Sequence, residues 1–404
     1  MRARAAVFGL GVALSIATVG KAASAQAYRL RVDAVGMTNQ PQSPVGLLIL
    51  QGRDKFSPLV ETEALVWTGT GKTEWAGSGG TTPADALVVL VKLRDPSRIG
   101  ELRLGRQFIA TGAIRPIHMD GAHARAVLPT KSSFEAFGGV PVAPAAGWGA
   151  YDWVAGGRAG QTFARDTVVG ATYVQQRDHG QLATEQVGLD FSSMPTRWFD
   201  LASRGTYDVI TSGLAESHVS VAARSSTLRP ELYATHRSPS RLIPATSLFS
   251  ALGDIPSNIV GTSVRWQAFP RLDLLPTAAV RWVGEDAMGY DASLRTTLRL
   301  DDFGAGALML EARRQDLAPD RWTGVRGGAR IPLGRLFVAS TELEIVLPDD
   351  PRGRGAAWPW GLAALKWMPW SGWEVAGAVE ASSTPRNASA VNALMRLSYN
   401  LGAK

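Results

Sequence analysis

Hydrophobic and polar positions alternate along much of this chain. In "GYDASLRTTLRLD" (289–301), Tyr290, Leu294 and Leu298 hold even positions, and the odd positions from Asp291 to Asp301 carry charged or hydroxyl side chains. Successive side chains of a strand point to opposite faces, so the stretch predicts a β-strand with one apolar and one polar face. The same two-residue period returns in three further stretches: 197–208, 271–283 and 391–401.

The breaks between these stretches alternate in length. Short breaks such as "PWS" (369–371) and "FPR" (269–271) are interleaved with long polar ones such as "PDDPRGRGAA" (348–357) and residues 237–257. Membrane barrels have short turns at one rim and longer loops at the other, whereas a soluble sandwich has no reason to sort its connections. The stretches also reach the length of about 9–11 residues that a membrane strand needs.

These patterns predict an all-β fold, namely a single antiparallel up-and-down transmembrane β-barrel. Bacterial barrels have even strand counts, and we expect about 18 strands, within a range of 16 to 20. The barrel is predicted to occupy residues 28–404. Within it, residues 237–257 and the Gly-, Pro- and Ala-rich residues 110–148 are expected to be long loops, the latter able to fold into the lumen.

The first 27 residues indicate export. Arg2 and Arg4 precede an apolar run, and "ASAQA" offers cleavage after Ala25 or Ala27, as in a signal peptide. The run is shorter than the roughly 20 residues of a transmembrane helix. We therefore expect a signal peptide over 1–27 and a location in the bacterial outer membrane.

Composition and motifs argue against several classes of function. The 404 residues contain no Cys, which excludes disulfides, thiol catalysis and thiolate metal sites. "GTGKTE" (69–74) has Val66 where a phosphate-binding loop requires Gly. "HMDGAH" (118–123) supplies two histidines, fewer than the three or four ligands of a typical metal site. No cofactor, metal or nucleic acid is expected.

A catalytic barrel is the enzyme alternative. Glu216, His218 and Ser220 share one face of a predicted strand, and serine hydrolysis needs these three residue types close together. A polar barrel wall produces the same period-two spacing by itself. We therefore expect no enzyme activity.

Charged residues mark the predicted lumen. By parity, one face carries an excess of arginine together with acidic residues: Arg271, Asp273, Arg281, Asp291, Arg295, Arg299, Glu311, Arg313, Arg326, Arg330, Glu342, Glu344 and Arg396. These side chains either pair across neighbouring strands or leave a positive lining that selects the ions that pass. Tryptophans near the ends of the predicted strands are expected to form interfacial belts: Trp198, Trp282, Trp322, Trp358, Trp360, Trp367, Trp370 and Trp373.

Short motifs resemble a known family. "LRLGRQF" (102–108), "MDG" (119–121), "FEAFGG" (134–139) and the stretch 235–254 are similar to large outer-membrane barrels of the porin and alginate-export type. The resemblance implies a monomeric barrel that passes a polysaccharide through an arginine-lined pore. It places Arg103 and Arg106 in a matching run, although Arg106 shares parity with the lipid-side Leu104.

The expected function is an outer-membrane conduit that exports an exopolysaccharide. The alternative is a general or anion-selective porin for small solutes, and an outer-membrane enzyme or adhesion scaffold is a third class. The expected partners are outer-membrane lipid, an anionic polysaccharide or small anionic solutes, and a periplasmic export partner.

The period-two pattern predicts a heat-modifiable barrel. Unboiled protein in detergent should migrate differently from boiled protein on a gel and give a β-type circular dichroism spectrum. A helical spectrum would contradict the barrel.

Overall fold

Hydrogen bonds between antiparallel strands join the chain into one closed sheet in the computed structural model. The structure describes the following residues: 29–39, 45–70, 84–97, 99–142, 152–163, 166–242, 255–284, 287–317, 320–351, 356–383 and 389–402. The expected signal peptide, 1–27, lies outside them. No helix among the described residues has the length and apolar character needed to cross a membrane.

The sheet contains 22 strands, numbered in chain order. Their bounds are β1 Arg29–Asn39, β2 Val45–Lys55, β3 Val60–Thr70, β4 Ala84–Arg94, β5 Gly100–Ile109, β6 Ile117–Val127, β7 Ser132–Pro141, β8 Trp153–Phe163, β9 Thr167–Asp178, β10 Gln181–Thr196, β11 Phe199–Asp208, β12 Gly213–Ala223, β13 Leu228–Arg237, β14 Ser257–Phe269, β15 Leu272–Val283, β16 Ala287–Arg299, β17 Ala307–Leu317, β18 Asp320–Leu333, β19 Phe337–Pro348, β20 Trp358–Trp367, β21 Trp373–Ser382 and β22 Ala390–Leu401.

Each strand pairs with its neighbours in sequence, and β1 closes the ring by pairing with β22. The closing register runs from Leu30 opposite Leu401 to Asn39 opposite Asn392. Because the strand count is even, β1 begins and β22 ends at the same edge of the barrel. We call this edge the terminal rim and the opposite edge the distal rim.

The strand count corrects the expectation of 16 to 20, because β6 and β7 lie within residues 110–148, which were predicted to be a long loop. The physical reason is visible in β6. A polar lumen and an apolar exterior require polar side chains inside and apolar ones outside. In β6 the apolar Met119 points inward and is fully buried, and the charged Asp120 is exposed on the outer face. Glycine or alanine at seven further positions of β6 and β7 weakens the alternation of apolar and polar side chains.

The second predicted loop, 237–257, falls between β13 and β14. A short 3-10 helix, Pro239–Leu242, follows β13. Residues 243–254 lie outside the described part of the chain.

Connections differ in length between the two rims. Terminal-rim turns are as short as 197–198 and 270–271, and the longest is 300–306. Between strand ends at the distal rim the sequence separations reach 71–83, 142–152 and 238–256, although short turns also occur at this rim. The length sorting seen in the sequence therefore corresponds to the two rims.

The longest terminal-rim turn is held by one carboxylate. Asp301 accepts backbone N–H groups of Phe303 at 2.9 Å, Ala305 at 2.9 Å and Gly306 at 2.6 Å. These bonds, with that of Gly306 the strongest, keep the pKa of Asp301 below its usual value. The turn is thus closed locally without a hydrophobic core.

The two faces of the sheet differ in chemistry. One face presents large apolar side chains, such as Leu294 with 48%, Leu310 with 58% and Leu343 with 64% of their surface exposed. Soluble proteins rarely expose so much contiguous apolar surface, and such patches mark contact with a membrane or a partner. The opposite face carries charged side chains paired across strands, for example Arg295 with Glu311.

Tryptophans divide between the two faces. Trp282, Trp367 and Trp373 share the apolar face with Met288, Val379 and Tyr399, as their pairing registers show. Trp198 and Trp370 lie in terminal-rim turns. The belt prediction is wrong for Trp322, Trp358 and Trp360, because the register places them on the polar face with Arg326 and Glu344.

Two adjacent alanines test which face meets lipid. Ala278 lies on the apolar face opposite Ala292, and Ala279 lies on the polar face opposite Asp291, both in the middle of β15. Ala278→Arg should lower the unfolding free energy by about 2–4 kcal/mol, the cost of Arg at the bilayer midplane of a barrel. Ala279→Arg should be tolerated beside the Asp291 carboxylate.

Urea titration of the barrel in lipid vesicles measures both changes. Equal costs for the two substitutions, or a larger cost for Ala279→Arg, would mean that the assignment of the faces is wrong.

Candidate functional site in the barrel lumen

The segment 110–116, between β5 and β6, identifies the inside of the barrel. It contacts the polar face of distant strands: the Ala113 carbonyl accepts the Thr206 hydroxyl at 2.8 Å, and Arg115 pairs with Glu216 at 3.6 Å. Adjacent strands lie about 4.8 Å apart, so a segment this short reaches β12 from β5 only across the concave side. The polar face is therefore the lumen wall.

A glycine allows the inserted segment to approach the wall. Gly112 has a φ of +54°, and a Cβ at this position would lie 2.8 Å from the Asp190 carboxylate and would collide with the Thr172 hydroxyl. A side chain at position 112 would therefore be both strained and crowded. Asp190 is itself fixed by Arg158, whose Nη2 donates to it at 2.5 Å.

Apolar side chains seat the segment. Ile114 belongs to a buried cluster that projects from strands β5 to β9 into the lumen: Ile109, Met119, Phe137, Val154 and Val174. Burying each such side chain contributes on the order of 1.5–3 kcal/mol. The cluster explains why the lumen face is apolar here, and it anchors one side of the segment.

Polar contacts anchor the start of the segment. The Thr111 hydroxyl donates to the Glu135 carboxylate at 2.6 Å, and His123 Nε2 lies 3.4 Å from the same carboxylate. His118 lies on the other face of β6, where it stacks on Phe108 at 4.1 Å between ring centroids. The two histidines of "HMDGAH" therefore point in opposite directions and cannot bind one metal ion together.

The candidate catalytic residues Glu216, His218 and Ser220 also form part of the lumen wall. Glu216 pairs with Arg115, and His218 Nδ1 lies 3.0 Å from the Thr235 hydroxyl. Ser220 lies on the same face, opposite Tyr233. The three residues share the lumen wall, as their spacing predicted, but Glu216 and His218 each interact with another partner.

Most of the predicted lumen charges lie on the lumen face and pair with one another. The ion pairs across neighbouring strands are Arg281–Asp291 at 3.2 Å, Arg295–Glu311 at 3.2 Å, Arg299–Asp273 at 2.9 Å, Arg313–Glu344 and Arg326–Glu342. Arg396 contacts Asp33 at 3.1 Å and Glu374 at 3.5 Å. Partly exposed pairs of this kind each contribute about 0–1 kcal/mol to stability.

Three further arginines singled out from the sequence lie in three different places: the lumen face, the outer face and a turn. Arg103 lies on the lumen face and pairs with Glu101 at 2.5 Å. Arg106 lies on the outer face, where Asp120 is its cross-strand neighbour, and it donates to that carboxylate at 2.7 Å. Arg271 was placed on a lumen strand by parity, but it lies in the turn before β15 and pairs with Asp302 at 2.7 Å.

Among the lumen arginines of β11 to β18, four form no ion pair with any other described residue. They are Arg204, Arg237, Arg265 and Arg330, and Arg265 lies directly opposite a further arginine, Arg229. Of these four, only Arg330 was among the residues predicted from the sequence. The same parity argument, extended to β11–β14, would have found the other three.

Comparison with solved structures identifies the fold. The siderophore receptor PirA from Pseudomonas aeruginosa aligns with 93% of this chain and 80% of its own, at 8% identity and a TM-score of 0.63. The ferric enterobactin receptor PfeA aligns with 93% of this chain and 82% of its own, at 8% identity and a TM-score of 0.60. The translocation pore of the P pilus usher PapC aligns with 93% of this chain and 100% of its own, at 8% identity and a TM-score of 0.54.

The chain therefore has the fold of large outer-membrane β-barrels, and these neighbours are receptors and a pore. At this identity the likeness is one of fold alone. No protein-family model and no curated protein matches the sequence.

Gly112 gives a direct test of the inserted segment. Gly112→Ala should push the segment off Thr172 and Asp190 and raise the single-channel conductance in planar bilayers. Gly180→Ala is the matched control, because Gly180 also has a positive φ, +73°, but a Cβ there would meet nothing within 4 Å. Equal conductance of the two variants would show that the segment does not limit the passage.

Proposed function

We propose that the chain is a passive outer-membrane conduit that carries a polar polymer, an exopolysaccharide, to the cell surface. The observation that supports this function is a ring of 22 hydrogen-bonded strands with an apolar outer face and a charged, ion-paired inner face. Barrels of 16 to 18 strands already leave an aqueous channel, so a wider ring has room for a hydrated chain.

The paired lumen charges support a polymer path. Ion pairs between neighbouring strands keep the wall hydrated without a strong net potential, and a polymer bearing hydroxyl and carboxylate groups can exchange hydrogen bonds with them along its length. The unpaired Arg204, Arg237, Arg265 and Arg330 add positive charge that favours an acidic polymer.

The proposed location follows from the same faces. The apolar face contacts outer-membrane lipid, the terminal rim faces the periplasm, and a periplasmic export partner docks at that rim. Residues 1–27 serve as the signal peptide in this proposal.

An anion-selective porin for small solutes is the second candidate. The observation that favours it is the segment 110–116, which occupies part of the lumen and contacts β12. A narrowed passage with unpaired arginines suits small anions better than a polymer.

Charge removal tests the electrostatic part of the proposal. Replacing Arg204, Arg265 and Arg330 by Gln removes three unpaired positive charges and should reduce anion preference in bilayer recordings, most clearly at low salt where screening is weak. The control is Arg281→Gln combined with Asp291→Asn, which removes an ion pair without changing the net charge and should leave selectivity unchanged.

Export in cells separates the two candidates. Surface polysaccharide should fall in the charge variant while the abundance of the barrel stays constant. Reduced anion preference with normal polysaccharide export would favour the porin, and unchanged selectivity would show that these arginines do not set it.

A further inference from the structure

Three tryptophans project into the lumen beside the distal rim. β18 and β20 both begin at this rim, and Trp322 lies near the start of β18, while Trp358 and Trp360 lie at the start of β20. The register places Trp322 opposite Pro348, Trp358 opposite Val346 and Trp360 opposite Glu344. Their indole rings therefore line one stretch of the wall at the mouth that the proposed function turns to the cell exterior.

A row of charged groups leads up to these rings. A single row across the strands runs from Arg295 through Glu311, Arg326 and Glu344 to Trp360, each directly opposite the next. The guanidinium carbon of Arg326 lies 5.9 Å from the centre of the Trp360 ring. Such contacts hold both the cation and the ring in fixed orientations.

Trp322 is held in a similar way. The guanidinium carbon of Arg313 lies 5.4 Å from its ring centre. The ring lies over Gly324, where a Cβ would come within 3.0 Å of it. The missing side chain thus lets the indole lie along the wall.

The patch is electrically balanced and keeps unused donors. Arg295, Arg313 and Arg326 each pair with a glutamate, Glu311, Glu344 and Glu342 respectively. Arg313 Nε and Trp358 Nε1 are buried and have no hydrogen-bond partner among the described residues. An unpaired buried donor costs about 1–3 kcal/mol, and a ligand hydroxyl would satisfy these two donors once neighbouring side chains move aside.

We propose that Trp322, Trp358 and Trp360, with the Arg–Glu pairs between them, form a saccharide-binding site at the distal mouth of the lumen. A pyranose ring has an apolar C–H face that packs on an indole, and its equatorial hydroxyls bond to carboxylates and guanidinium groups around it. Because the patch carries no net charge, it recognises the sugar ring rather than an anionic substituent. The inference rests on the proposed conduit and names the chemistry that the cargo must share.

Equilibrium binding to the folded barrel in detergent tests the site. A linear neutral glucose hexasaccharide should bind wild-type protein in a calorimetric titration. Trp322→Ala and Trp360→Ala should each weaken binding by about tenfold, which corresponds to the loss of one aromatic contact. Trp282→Ala, which removes a tryptophan near the same rim from the outer face, is the matched control and should bind as wild type does.

Acidic sugars probe the role of charge. A uronic acid hexamer of equal length should bind with an affinity within a few-fold of that of the neutral one. Binding of the acidic hexamer more than tenfold tighter would overturn recognition of the ring. So would a failure of wild type to bind the neutral hexamer, or equal affinities in wild type and the two lumen variants.

Ion conductance of the same preparations separates this inference from the conduit itself. A barrel that conducts ions but binds no hexasaccharide would contradict the saccharide site and leave the conduit proposal standing. A folded barrel that conducts no ions would contradict the conduit proposal, whatever its affinity for the hexasaccharide.

Discussion

The closure of the sheet between β1 and β22 is the constraint on which the rest of the structure depends. A bilayer supplies no hydrogen-bond partners, so a sheet inside it has to pair every backbone group within itself, and only a ring has no free edge. The register from Leu30–Leu401 to Asn39–Asn392 achieves this by joining the two ends of the chain. It also fixes the strand count as even and brings both ends to one rim.

Closure separates two environments, and the side chains follow that separation. Leu343 and Met395 lie on the outer face, where no polar group has to be satisfied, while Arg295 and Glu311 face each other inside. Direct pairing of opposite charges explains how the wall holds many arginines without strong repulsion. Specific recognition then depends on the exceptions, namely the unpaired arginines and the inward-facing tryptophans.

The region around the inserted segment obeys a different rule. Where 110–116 packs against the wall, the apolar side chains of Met119 and Phe137 are buried on the lumen side, so the alternation expected of a wet lumen is interrupted. Gly112 lets the segment fit closely against that surface, beside the Arg158–Asp190 pair. One short loop thus determines the chemistry of the strands that it touches.

The sequence by itself determined the architecture, because a strand that separates lipid from water has to alternate and membrane thickness sets its length. The parity of Arg295 and Leu294 and the difference between the two rims could be predicted for that reason. Only the tertiary structure decided that β6 and β7 are strands, since the character of their faces depends on the segment 110–116 folding back into the lumen and packing on them. The tertiary structure alone also decided that Trp322 and Trp360 face the lumen. A tryptophan near a strand end suits either an interfacial belt or a lumen mouth. Only the register with Arg326 and Glu344 distinguishes these two positions.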